Sequence, residues 1–283
     1  MTEPSPNVSE DVSAYDFMTP EQTRAIEQDG CFVVENGLPP DVVAEIDGAI
    51  DEIYDREKLA GRLPEDGRLN LRNCVIEHDA FLQLIDWPTT FPKAMGILNW
   101  NIHLITSHLL VVPSKERPEQ PLRVGLHRDG GTSAREMTEP HPRIMFKIGY
   151  VISDQSDPAS GATVVVPGSN RYLGGPATNP DTGGARGAIS MNFSPGAAFF
   201  FEQRTYHGMG HNYSGKPRKT VFIGYAYRWV KPMDYIAMPD ELVDKSNAVQ
   251  KQLLGFVTEP LSFYLPQDDD VPLKAVMEQQ AAS

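Results

Sequence analysis

The sequence predicts a mainly β fold, a sandwich or jelly-roll core with N-terminal helices packed outside it. From about residue 101 the chain breaks into short runs rich in Val, Ile, Phe and Tyr. Turn residues such as Asp157-Pro158, Pro167-Gly168, Gly183-Gly184 and Pro195-Gly196 separate these runs, the pattern of many short strands in one β core. Before residue 101, apolar residues recur at helical spacing instead. The 283 residues carry no internal repeat and fit one large domain.

Residues 1–16 are polar and read as a loose tail. Thr19-Pro20-Glu21-Gln22 is a capping box with proline at the first helical position, opening a helix that stops near Asp29-Gly30. Residues 31–34 form a brief strand. Pro39-Pro40-Asp41 starts a second helix, in which Val42, Val43, Ile46, Ile50, Ile53 and Tyr54 recur at helical spacing. A glycine- and charge-rich loop covers about 55–70, and 79–100 reads as helix broken at Pro88 and Pro92. Predicted strands follow at 102–112, 122–129, 144–152, 162–166, 197–201 and 220–229. Residues 239–255 predict a helix, then Asp268-Asp269-Asp270 and a short tail. The single domain 1–283 thus divides into a helical part (17–100), a jelly-roll core (101–230) and a C-terminal helix and tail (231–283).

Lys and Arg number 25 against 38 Asp and Glu, a net charge of −13. Such a surface repels phosphate backbones and anionic membranes, so neither nucleic acid nor a membrane is an expected partner. Cys31 and Cys74 are the only cysteines, too few for a disulfide framework or a thiolate cluster. The polar, acidic start carries no secretion signal, and no apolar run reaches the length of a membrane span. The expected setting is the cytoplasm.

Among seven histidines, one local pattern stands out: His127-Arg128-Asp129. On an extended strand, residues i and i+2 face the same way, so His127 and Asp129 would offer an imidazole and a carboxylate side by side. With a third ligand from another histidine they would make a 2-His-1-carboxylate facial triad with open positions. Downstream, Tyr206-His207-Gly208-Met209-Gly210-His211 offers two candidates, His207 and His211, and Arg218 follows eleven residues beyond His207. The His-Arg-Asp string also suits a kinase catalytic loop. That reading fails, because Ala134 stands where the kinase Asn belongs and there is neither a Gly-rich phosphate loop nor an Asp-Phe-Gly.

Four places together carry a family resemblance: the segment Thr19–Val34 ending Asp-Gly-Cys-Phe-Val-Val; His127-Arg-Asp129; Gly161-Ala-Thr-Val-Val-Val-Pro-Gly-Ser169-Asn170; and His207-Gly-Met-Gly-His-Asn212 with Arg218. Over about residues 19–230 the chain resembles the phytanoyl-CoA dioxygenase family of Fe(II)/2-oxoglutarate oxygenases. That resemblance implies a double-stranded β-helix (a jelly roll, cupin-like), with iron on His127, Asp129 and His207 and the far carboxylate of 2-oxoglutarate on Arg218. It also implies O2 as second cosubstrate and oxidation of a small organic metabolite, as in a biosynthetic pathway. The spacing to Arg218 favours His207 over His211. Asn170, where many relatives have histidine, puts no iron ligand in doubt. Asp129 argues against a halogenase, which has Gly or Ala there.

Other residues carry lesser expectations. Thr163 could donate its hydroxyl to 2-oxoglutarate, the alternative being a β-favouring residue on a sheet face. Lys147, in an apolar strand, either faces the pocket as a second cation or reaches to solvent. Arg218, Thr220, Phe222, Gly224 and Ala226 would share one strand face, the small Gly224 and Ala226 leaving room for a cosubstrate. His103 and His108 differ by an odd number and should face opposite ways, as core histidines or with one lining the substrate pocket. Trp87, Trp100 and Trp229 read as packing. Loops 55–75, 130–142 and 172–190 are expected to wall the substrate pocket. Two alternatives stay open: a non-oxidative binding protein or isomerase on the same barrel, and zinc hydrolysis at the same triad. Oligomeric state is left open.

Overall fold

The computed structural model describes residues 15–120, 122–130, 136–180 and 182–282. The expected tail at 1–16, Ala134 and part of the 130–142 loop therefore lie largely or wholly outside the described residues. The elements run α1 (Pro20–Gln28), β1 (Cys31–Val34), α2 (Pro40–Leu59), β2 (Leu69–Arg72), α3 (Asp79–Leu82), α4 (Phe91–Leu98), β3 (Ile102–Val112) and β4 (Met145–Val151). They continue with β5 (Thr163–Val165), β6 (Ile189–Ser190), β7 (Ala198–Glu202), β8 (His207–Met209), β9 (Arg218–Tyr227), α5 (Asp240–Asp244), α6 (Ala248–Leu253) and α7 (Leu273–Ala282). The capping box on α1 forms as its residues require: Gln22 N donates to Thr19 Oγ1 and Thr19 N donates to Gln22 Oε1.

The strands make two antiparallel sheets. One has six strands in the order β1-β7-β4-β9-β3-β2, the other three in the order β6-β5-β8. Period-2 alternation sends the two faces of the larger sheet into different cores. Phe146, Phe200, Val221, Ile223 and Tyr225 pack with Ile46, Ile50, Phe81 and Phe91 of the helical layer. Phe199, Phe201, Phe222 and Val151 pack with Val165 of the smaller sheet. Each such buried aromatic is worth about 1.5–3 kcal/mol, so Phe199-Phe200-Phe201 alone couples both cores to β7. The functional cavity opens on the side that faces the smaller sheet.

Several expectations need correction. Helical residues outnumber strand residues among those described, so "mainly β" holds for the core but not for the chain. Residues 122–129 are not a strand: His127 forms an isolated bridge to His207, and only that one pair is exchanged. The 55–70 loop ends in β2, whose Leu69-Asn70-Leu71-Arg72 pairs with β3. Pro92 does not break a helix but sits in the first turn of α4, where its missing N–H costs nothing. The 239–255 helix is two short helices, the second restarted by the Asn247 capping box, and the short tail contains α7. Trp87 and Trp100 pack against the core, whereas Trp229 is exposed and stacks on Tyr227. Cys31 and Cys74 are both buried and free, and burial pushes each thiol up to about 12. No helix among the described residues is long and apolar enough to cross a membrane.

Candidate active site

His207 begins β8, which pairs with β5 by placing His207 opposite Val165. On the other side of His207, two backbone bonds of 2.9 Å tie it to His127, and Asp129 N donates to Gln203 O at 3.0 Å. The backbone thus delivers three side chains to one point. The ligand atoms of His127, Asp129 and His207 all lie within 4.8 Å of one another. His127 Nε2 is 3.9 Å from Asp129 Oδ1, and His207 Nε2 is 3.7 Å from Asp129 Oδ2.

The protonation states suit a cation. His207 Nδ1 donates to the Thr205 carbonyl at 2.9 Å, which fixes the tautomer and leaves a lone pair on Nε2. Burial lowers the His207 pKa to about 4, keeping the ring neutral. For Asp129, burial alone would raise the carboxyl; the charge and hydrogen bond of Lys147 lead the opposing effects and hold it below the usual range. Lys147 Nζ donates to Oδ1 at 2.9 Å and stands 2.8 Å from the buried Oδ2, pairing with the carboxylate as a whole. An ionised carboxylate beside a free imidazole lone pair, with a second imidazole within 4.8 Å, is a donor set that fits a borderline divalent ion such as Fe(II). His211 is not part of this cluster: its Nε2 donates to Arg123 O and its ring stacks on Tyr213.

A cavity of about 180 Å³ adjoins the three residues and is also lined by Arg72, His108, Lys147, Thr163, Phe201 and Arg218, among others. All six residues singled out from sequence therefore meet in one place. Arg218 is 2% exposed. It donates one bond to the Gly161 carbonyl, while its Nε and second terminal nitrogen have no partner among the described residues. Burial, and secondarily the charge of Arg68, lowers its pKa to about 10. A buried guanidinium without a counter-charge is costly, and a ligand carboxylate would satisfy its fork.

Two face assignments change. A Cβ at Gly224 would lie 2.6 Å from Thr106 Cγ2 and 3.3 Å from Ile105 Cγ2 and Lys147 Cγ, so this glycine makes room chiefly for the Thr106 side chain, then for Ile105 and Lys147, rather than for a cosubstrate. The register shift between Leu104 and Thr106 cancels the odd spacing of the two histidines. His103 lies opposite Ala226 and His108 opposite Phe222, so both share a face, but only His108 lines this cavity. Arg72 and Met233 also line it and were not singled out from sequence. Leu69-Asn70-Leu71-Arg72 carried a short alternation that could have revealed Arg72; nothing in the sequence marks Met233. Of the loops expected to wall the pocket, only 55–75 contributes a described lining residue, Arg72.

Close backbone approach holds the two histidine segments together. A Cβ at Gly208 would lie 2.2 Å from the Gly125 carbonyl oxygen. Gly208→Ala is expected to force these segments apart, to cost about 1–3 kcal/mol of stability, and to weaken divalent-metal affinity. Denaturant melts and metal titration check both effects.

Residues 26–220 match the profile of the phytanoyl-CoA dioxygenase (PhyH) family, a span containing every one of the six residues above. The chain belongs to the phytanoyl-CoA dioxygenase family. Oxygenase chemistry is this family's activity. An uncharacterised Mycobacterium tuberculosis protein, Rv1501, is 27% identical over 224 residues, covering 73% of this chain and 76% of its own. The multifunctional dioxygenase ausE of Aspergillus calidoustus is 25% identical over 256 residues, covering 82% of each. Among solved structures, EctD from S. alaskensis with bound Fe superposes with a TM-score of 0.58 at 20% identity, covering 80% of this chain and 83% of that one.

Proposed function

We propose that this family member is a cytoplasmic non-haem Fe(II)/2-oxoglutarate-dependent oxygenase. It oxidises a C–H bond of a small organic metabolite, by hydroxylation or a related outcome, while O2 and 2-oxoglutarate are consumed and succinate and CO2 are released. On this reading the two antiparallel sheets form a double-stranded β-helix. The observation that carries it is one cavity shared by a two-imidazole, one-carboxylate cluster, its Asp129 and His207 buried and its His127 open to solvent, and a buried guanidinium that has no counter-ion among the described residues.

His127, Asp129 and His207 would hold the iron. When bound, iron would activate O2, the oxidant, with 2-oxoglutarate as a two-electron donor, chemistry that no side chain here possesses. Arg218 pairs with the far carboxylate of the cosubstrate, and the buried Thr163 hydroxyl, lining the same cavity, donates to it. Lys147 keeps Asp129 ionised and adds a second cation beside the cosubstrate. Thr205 keeps His207 in the tautomer that leaves Nε2 free. Phe201 and Phe222 line the cavity with apolar surface, excluding water and strengthening each charge contact.

Anaerobic addition of Fe(II) and then 2-oxoglutarate is expected to give a visible charge-transfer band, with succinate appearing once O2 is admitted. Binding of both without the band, or turnover without succinate, would refute the assignment.

A further inference from the structure

A second cavity, of about 760 Å³, lies past the other end of β9 and shares no lining residue with the first among the described residues. Arg228, one residue beyond the strand, is ten residues from Arg218, about 30 Å along an extended chain. Between the two regions Ile105, Met145 and Ala226 pack into their own apolar cluster.

Arg228 lines this second cavity, is 2% exposed, and has no hydrogen-bond partner among the described residues on any of its three nitrogens. Its guanidinium lies over the Phe263 ring, 5.8 Å from the centroid. Asp270 is the acid that acts on it electrostatically. The Asp270 oxygens, however, accept from Thr258 N and Oγ1 at 2.9 and 3.0 Å and make no described ion pair with Arg228. His103 lines the same space. Its Nε2 donates to Val230 O at 2.8 Å, so Nδ1 carries a lone pair, and that atom is buried without a partner among the described residues. A Cβ at Gly255 would meet nothing nearer than His103 Nδ1 and Phe263, both at 3.9 Å. The walls are apolar: Trp229, Ile236 and Phe256 stand exposed there. Asp240 and Asp244 also line it.

We propose that this cavity is a binding site, separate from the metal cluster, for an organic monocarboxylate with an apolar body and a hydroxyl group. The carboxylate takes the free fork of Arg228. The hydroxyl donates to His103 Nδ1, and the apolar body covers Trp229 and Phe256. Asp240 and Asp244 offset the charges of Arg228 and Lys231, which lines the cavity too, so a multiply charged anion such as phosphate meets no net positive wall and is a poor ligand.

The test is calorimetric titration of the full chain with 4-hydroxyphenylacetate, phenylacetate and inorganic phosphate. The hydroxy acid is expected to bind, phenylacetate about two- to tenfold more weakly, and phosphate not at all. Arg228→Met should weaken the hydroxy acid at least about tenfold, and Arg228→Lys, which keeps the charge without the fork, should weaken it less. Arg218→Met should leave it unchanged. Failure of every carboxylate to bind, phosphate binding as well as the acids, equal affinity in both Arg228 variants and the parent, or loss in Arg218→Met instead would each overturn the proposal. Should Arg228→Met not fold, Arg228→Lys and the ligand series decide alone. None of these readouts depends on turnover, so failure here and failure of the oxygenase reading are distinct results.

Discussion

Asp129→Ala is expected to abolish succinate formation and, in the metal-free protein, to cost about 3–5 kcal/mol of stability. Two effects meet at this side chain. As a ligand it supplies the only anionic donor of the cluster. Altering groups that merely orient ligands costs about 10–100-fold in metal affinity, so removing the carboxylate itself should cost more. As an ion-pair partner it faces Lys147, 2.8 Å from Oδ2, with both side chains at most 10% exposed. Truncating it strands a buried ammonium. The double variant Asp129→Ala with Lys147→Met removes both ends of the pair and is expected to recover most of the lost stability. It stays inactive. Thermal melts and succinate assays on the three proteins separate the roles: a double variant that regained turnover would show that Asp129 matters only as a counter-ion.

The parts of this molecule legible in its sequence are those governed by local rules. The α1 capping box, the Pro40 start of α2 and the long β3 and β9 are set by caps and by runs of β-favouring residues. The His127/Asp129 pair was visible because its two-residue spacing survives in an extended segment even though residues 122–129 make no ladder. What escaped depends on contacts remote in sequence. The bulge beside Ile105 reverses the facing of His108 relative to His103, and nothing in Ile102–Val112 announces it. Gly224 read as empty space because its fillers, Thr106 above all and then Lys147, come from β3 and β4 on either side of it in the sheet. β8 is three residues long, contains Gly208 and is followed at once by Gly210, so propensity gave no strand there; its pairing with β5 does. Arg228 drew no attention as one Arg before a Trp, and its isolation appears only once Asp270 is seen to be engaged by Thr258.

Arg218→Met is expected to weaken 2-oxoglutarate binding by roughly thirty- to several-thousand-fold, the equivalent of about 2–5 kcal/mol for losing a buried charge-pair partner. The same substitution should leave the ligand-free protein as stable as the parent or slightly more so. Lowering of the Arg218 pKa from 12.5 to about 10 corresponds to about 3 kcal/mol paid to keep the charge buried. Against this stands the bond to the Gly161 carbonyl, whose loss costs about 1–3 kcal/mol. The balance is near zero or favourable, and methionine keeps much of the side-chain volume. Ligand reverses the order: at a hundred times its dissociation constant, 2-oxoglutarate adds about 2.7 kcal/mol to the parent and far less to the variant. Melting curves with and without 2-oxoglutarate should therefore cross between the two proteins. A purely structural arginine would lower the melting temperature in both conditions. Parent-like affinity for 2-oxoglutarate in the variant would move the cosubstrate carboxylate to another cation, with Lys147 and Arg72 the ones lining the same cavity.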